Sequence, residues 1–219
     1  MFLKEKAYQN RSESKEEKMG TIFCLMGKSA SGKDTIYKRV IACEELGLHE
    51  IISYTTRPIR IKEVDGREYH FTDEEGYEKL KSEGRVIETR IYNTAAGPWR
   101  YFTVDDGNIK DDENYLIIGT LEQYHCLREY FGDGRVIPVY VELDDGERLQ
   151  RALKRERKQE SPNYRELCRR FLADDDDFSD ANLEKEGVKK RFRNENDSLD
   201  GCVYEIRDYI KGIVDSERG

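Results

Sequence analysis

The chain of 219 residues has no apolar run of 18 or more residues, no C-x-x-C pair and no H-x-x-x-H pair, and its net charge is −8. Each absence removes a class of protein. Without a long apolar run there is no expected membrane span. Residues 1–18, "MFLKEKAYQNRSESKEEK", lack the apolar stretch of a secretory signal and read as a charged leader. The five cysteines, Cys24, Cys43, Cys126, Cys168 and Cys202, are scattered, which argues against a disulfide framework or a zinc site and fits a reducing cytoplasm. His49, His70 and His125 stand alone. The negative balance argues against a general nucleic-acid coat, so an anionic ligand needs a local basic pocket.

What is present is a set of short apolar runs in a chain that is 37% apolar and 38% charged. "TIFCLMG" (21–27), "IISYTT" (51–56), "YLIIGT" (115–120) and "VIPVYVEL" (136–143) suit buried strands. Helical spacing is expected over 33–46, 73–84, 144–159 and 163–180, and at the end over 200–214, where Val203, Ile206, Tyr209, Ile210 and Ile213 share a face. "REYHFT" (67–72), "VIETRIY" (86–92) and "RYFTV" (100–104) alternate as short strands do, so a small mixed unit interrupts a β-α chain. The run Asp174 to Asp177 reads as a solvated or helix-ending stretch, because four successive acids on a helix point around it. Trp99 reads as packing, with base stacking as the alternative.

Between the first strand and the first helix lies "GKSASGKDT" (27–35). Gly27, Gly32 and Lys33 fall in the register of a phosphate-binding loop, whose glycines let successive N–H groups point at phosphates. Ser29, Ala30 and Ser31 complete the cradle, and Lys33 would reach the terminal phosphates. The usual hydroxyl after the lysine is replaced by Asp34 and arrives one place late, at Thr35. Asp34 and Thr35 are the candidate Mg²⁺ ligands, since a carboxylate is also a hard oxygen donor. The alternative is that Asp34 caps the helix start, where acids are favoured.

A second constellation lies in "SYTTRPIRIKEVDGREYHF" (53–71). Arg57 and Arg60, three apart and beside hydroxyls, suit a phosphomonoester, because arginine forks onto phosphate oxygens. Glu63, and Glu88 in "RVIETR", are acceptors suited to a base that donates N–H groups.

At this point the sequence resembles the guanylate kinase family, through Ser53, Thr55-Thr56-Arg57, Arg60, Glu63, Gly66 and Tyr69. The resemblance runs from about residue 20 to 213. It implies an α/β phosphate-loop kinase: a parallel-sheet core (19–52, 106–144 and 176–219), a small mixed nucleoside-monophosphate insertion (53–105) and a helical lid (145–175). It implies that Arg57, Arg60 and Tyr69 hold the GMP phosphate, that Ser53 and Glu88 face the guanine, and that Tyr101 and Thr103 add contacts. Arg151 and Arg155, four apart on one helical face, match the lid arginines. Arg170, with Arg169 as the alternative, matches a third, and Asn194 matches an asparagine near the adenine. The implied reaction is ATP-dependent and Mg²⁺-assisted phosphorylation of GMP, and of dGMP, by a cytoplasmic monomer or homodimer with no nucleic-acid or membrane partner.

The resemblance breaks on one strand. The family's acidic positions there fall on Ile118, Gly119, Thr120 or Leu121, and the nearest acid is Glu122. Ribose 1,5-bisphosphate phosphokinase, a relative that can carry an Asp after the loop lysine, is therefore an alternative, as is a deoxynucleotide kinase. A non-catalytic guanylate-kinase-like binding module is a third, against which the intact Gly32 and Lys33 weigh.

Overall fold

The computed structural model describes residues 19–94, 97–195 and 199–216, so the leader expected over 1–18 lies outside the described residues. The first strand, β1 (Ile22–Met26), is buried on both faces. Its side chains divide by the period of two that a strand imposes. Ile22, Cys24 and Met26 join one core cluster, and Phe23 and Leu25 join another. Helices therefore have to cover both sides of the sheet.

The core sheet is parallel, in the order β2-β7-β1-β8-β9, with β2 (Leu48–Glu50), β7 (Asn114–Ile118), β8 (Val136–Glu142) and β9 (Arg191–Arg193). One face is covered by α1 (Lys33–Ile41) and by the terminal helix Leu199–Ser216, whose Val203, Ile206, Ile210 and Val214 are buried. The other is covered by a helix over Leu121–Phe131, through Leu121, Tyr124, Leu127 and Phe131.

A second sheet, of order β4-β3-β6-β5, is built from β3 (Tyr54–Thr55), β4 (His70–Phe71), β5 (Val86–Thr94) and β6 (Gly97–Val104). Helix α2 (Glu74–Ser82) packs on it around Tyr77, Phe102 and Val104, which form a core of their own.

After α3 (Leu121–Phe131) come α4 (Asp145–Glu156), α5 (Tyr164–Asp177), α6 (Asp180–Lys185) and α7 (Leu199–Ser216). Three expectations need correction. The helix expected over 33–46 ends at Ile41; Glu44–Leu46 is a separate 3-10 turn, closed by Gly47 at φ 58°, which turns the chain into β2. The strand expected over 51–56 pairs only at Tyr54–Thr55. Ile51 N–H finishes the core ladder on the Leu116 carbonyl, and the chain then crosses to the second sheet. Residues 121–131, to which no element is assigned above, form α3; the Thr120 hydroxyl accepts from Gln123 N–H and caps its start.

Candidate active site

One cleft of about 740 Å³ runs between the core, the second sheet and α5. At one end the loop between β1 and α1 and the first residues of α1 present Gly27, Ser29, Lys33 and Asp34. The loop's shape depends on Gly32, at φ 91°, which precedes α1. A Cβ there would collide with Nδ2 of Asn194, and Arg151 Nη1 lies 3.8 Å from the same point. Asn194 is 2% exposed and donates to the Ser31 carbonyl at 2.7 Å, so it braces the loop from the core side. Ala30 also has positive φ, 65°. Thr35 and Ile36 donate their N–H groups to the Gly32 carbonyl, which starts α1. Asp34 lines the cleft, and Thr35 is exposed.

The arginines expected to serve the lid, Arg151 and Arg155, have a neighbour on the same helix that sequence reasoning missed. Arg148 on α4 is fully buried. Its guanidinium lies over the Phe171 ring and donates to the Ser29 carbonyl at 3.2 Å. It also donates to Asp145, to Asp175 at 3.2 Å and to Asp174 at 3.3 Å. The acidic run is therefore not wholly solvated, which corrects the expectation for 174–177. It does close α5, but Asp174 accepts from Ser29 N–H at 2.7 Å and Asp175 from Lys28 Nζ at 2.7 Å. Burial alone would raise the Asp175 pKa; the hydrogen bonds from Lys28 and Arg148 outweigh it and hold the carboxyl below its usual range. Arg151 is half-buried beside the loop, whereas Arg155 is exposed. Arg169 and Arg170 both line the cleft from α5, where Arg169 is paired with Glu166 at 2.7 Å.

At the far end lie Ser53 and Tyr69, which precede β3 and β4, with Tyr101, Tyr92 and Trp99 of the second sheet. Arg57 is 2% exposed and nearly saturated. It donates in bidentate fashion to Glu63 at 3.0 and 2.9 Å, to the Pro58 carbonyl at 2.8 Å and, through Nε, to the Tyr101 hydroxyl at 3.0 Å. Desolvation would lower its pKa, but the Glu63 and Tyr101 hydrogen bonds reverse this and raise it. Arg57 in turn draws the Glu63 carboxyl down. Arg60 is exposed, and its backbone N–H joins the Glu63 carboxylate at 2.8 Å. Burial raises the Tyr69 hydroxyl pKa.

Glu88 is buried and accepts from the Thr103 hydroxyl at 2.7 Å, while Gln123 Nε2 donates to that hydroxyl at 2.8 Å. Arg90, absent from the expectations, covers Glu88 with contacts of 3.1 and 3.4 Å and itself lines the cleft. The signal was in "ETR": residues two apart on a strand share a face. Ile118, Gly119 and Thr120, among the positions where the resemblance implies acids, line the cleft.

The model of the guanylate kinase family matches residues 19–169. The chain belongs to the guanylate kinase family. Guanylate kinase of Symbiobacterium thermophilum is 30% identical over 192 residues, 87% of this chain and 84% of that protein. Guanylate kinase of Caldanaerobacter subterraneus is 26% identical over 195 residues, 89% of this chain and 88% of that one. Guanylate kinase of Paraburkholderia xenovorans is 28% identical over 155 residues, and the chain spans 65% of its length. A crystal structure of guanylate kinase from Anaplasma phagocytophilum shares the fold, with a TM-score of 0.56 and 19% identity over 89% of this chain and 86% of that one. The guanylate kinase fold is thus present with its loop glycines and lysine. No helix among the described residues is long and apolar enough to cross a membrane.

Proposed function

We propose that the protein transfers the terminal phosphoryl group of ATP to GMP, giving ADP and GDP, and that it accepts dGMP. The observation that carries this reading is a cleft lined at one end by Gly27, Ser29 and Lys33 and at the other by Ser53, Tyr69 and Tyr101. An oxygen of the GMP phosphate attacks the γ-phosphorus; that O–P bond forms as the bond to the β–γ bridging oxygen breaks, and the electron pair leaves with ADP. The protein forms no covalent bond. It positions the two phosphates in line and neutralises their charge.

Lys33 and the loop N–H groups of Gly32 and Lys33 hold the donor phosphates, the Ser29 N–H being taken by Asp174. Arg170, Arg151 and Arg155 approach from the lid as it closes, and Asn194 keeps the loop in shape. Arg57 acts through Tyr101, whose hydroxyl it orients, and Tyr69, Arg60 and Tyr101 take the acceptor phosphate. Glu63 holds Arg57 in place. Mg²⁺ fits the donor set: Asp34 offers one hard carboxylate in the cleft, and this ion commonly takes one or two carboxylates with substrate phosphates. When bound, it supplies charge neutralisation to the transferring group, with Asp34 or Thr35 as its protein ligand.

The test is ADP release from Mg-ATP with GMP, dGMP, AMP, CMP, UMP and ribose 1,5-bisphosphate as separate acceptors. Turnover confined to GMP and dGMP supports the reading. Ribose 1,5-bisphosphate phosphorylation is the second reading, favoured by the cation at Arg90 and by the absent strand acids, and turnover with that acceptor alone would replace the first. GMP binding without turnover of any acceptor would identify a binding module.

A further inference from the structure

The strand pairing of the β5–β6 hairpin sets Glu88 opposite Thr103, Arg90 opposite Tyr101 and Tyr92 opposite Trp99. Residues two apart share a face, so these six side chains form one strip. Its inner end is buried, with the Glu88 side chain 3% exposed, and the cleft is met by Arg90, Tyr92, Trp99 and Tyr101.

Hydrogen-bonding capacity then decides which group reads the acceptor. A carboxylate offers about four acceptor positions. At Glu88 one oxygen takes the Thr103 hydroxyl and Arg90 Nη2, and the other takes Arg90 Nε. About one position remains, and the donor edge of guanine (N1–H with the 2-amino group) needs two. Arg90 has the opposite balance. Glu88 engages Nε and Nη2, and no other partner is found among the described residues, so the end of the guanidinium fork is free to donate into the cleft. A fork of that kind matches two acceptors side by side, as O6 and N7 of guanine are.

We propose that Arg90 is the specificity-determining residue for the acceptor base, reading the O6/N7 edge of a 6-oxopurine nucleotide, and that Glu88 is a positioning residue that aims it. This rests on the GMP reading above. The base lies against the strip with Tyr92, Trp99 and Tyr101 as its aromatic surround. AMP is rejected because its 6-amino group would set a donor against a donor. IMP, which lacks the 2-amino group but keeps O6 and N7, is accepted.

The experiment compares GMP, IMP and 7-deaza-GMP by kcat/KM, in the unaltered protein and in Arg90→Met. The expected result in the unaltered protein is IMP within about tenfold of GMP, and 7-deaza-GMP lower by about tenfold or more, the size of one lost arginine contact. Arg90→Met should raise KM for GMP and IMP by about ten- to a hundredfold, change kcat less, and close the gap between GMP and 7-deaza-GMP. Unchanged ATP affinity in that variant shows an intact loop. Equal use of GMP and 7-deaza-GMP by the unaltered protein overturns the inference while leaving the GMP reading standing, as does an unchanged KM in Arg90→Met. Turnover of another acceptor but not of GMP overturns the GMP reading and this inference with it.

Discussion

Gly32 combines a left-handed backbone with the close approach of Asn194, so alanine there meets two penalties, the positive φ and a collision with the Asn194 amide. Gly32→Ala should lower stability by at least about 1–2 kcal/mol in urea unfolding. Asn194→Ala leaves the buried Ser31 carbonyl without its partner and should cost about 1–3 kcal/mol, with weaker ATP binding as the loop loosens. The glycine was legible in the sequence from its place in the motif. The inward turn of Asn194 was not: its partner lies 163 positions away, and only the fold brings them together. The cysteines give a second residue-level test. Burial pushes the Cys24 thiol up to about 12 and the Cys202 thiol to about 11, whereas Cys168 is exposed on α5. Thiol labelling of the folded protein near neutral pH should therefore modify Cys168 first and reach Cys24 and Cys202 only on unfolding.

α4 and α5 are joined to the phosphate loop by a cluster of charges rather than by apolar packing alone. Arg148 reaches two carboxylates of α5 and the loop carbonyl of Ser29 at once. Arg148→Met keeps the stem but leaves Asp174 with Ser29 N–H and Asp175 with Lys28, and the Ser29 carbonyl loses its donor, so it should destabilise by about 1–3 kcal/mol in thermal melting. Arg148→Lys recovers only part of this, because an ammonium cannot fork across the same acceptors. The helices expected over 144–159 and 163–180 form at 145–156 and 164–177, where the Asp144 and Asn163 side chains cap their starts. Which arginine turns inward was not legible, since Arg148, Arg151 and Arg155 all carry the same chemistry and only burial separates them. α3 was readable in principle: Thr120 and Gln123 make a start signal, and Leu121, Tyr124, Leu127 and Phe131 recur at helical spacing. The Asp174 contact with Ser29 N–H had no local signal, because an acid run looks the same on paper whether it faces water or a backbone amide.

Taken as a whole, the molecule divides its stability between a two-sided core, legible from the apolar runs of the parallel strands, and ion pairs that depend on pH. Glu63 titrates below the ordinary glutamate value because Arg57 binds its charged form. Its contribution is therefore complete above the unfolded-state pKa and is lost as pH falls through the folded-state value. Unfolding midpoints measured against pH should show Glu63→Gln less stable than the parent at neutral pH, with the gap closing under acid. Asp175 adds to the same acid loss through Lys28 and Arg148. Asp177 acts in reverse: desolvation, then the carboxylates of Asp174, Glu122 and Asp176, raise its pKa, so its ionisation weakens the fold as pH rises.

The two sheets also differ in how they end. The core sheet finishes on both sides in strands of three residues, β2 and β9, and β9 carries Arg191 and Arg193. Such edges are too short and too charged to template a foreign strand. The second sheet finishes on β5, nine residues long, with Ile91 and Tyr92 exposed. Edge-to-edge pairing is therefore open at β5 and closed at β2 and β9, so a charge placed on its exposed positions, as in Ile91→Lys, is expected to lower light scattering at high protein concentration without disturbing the core sheet.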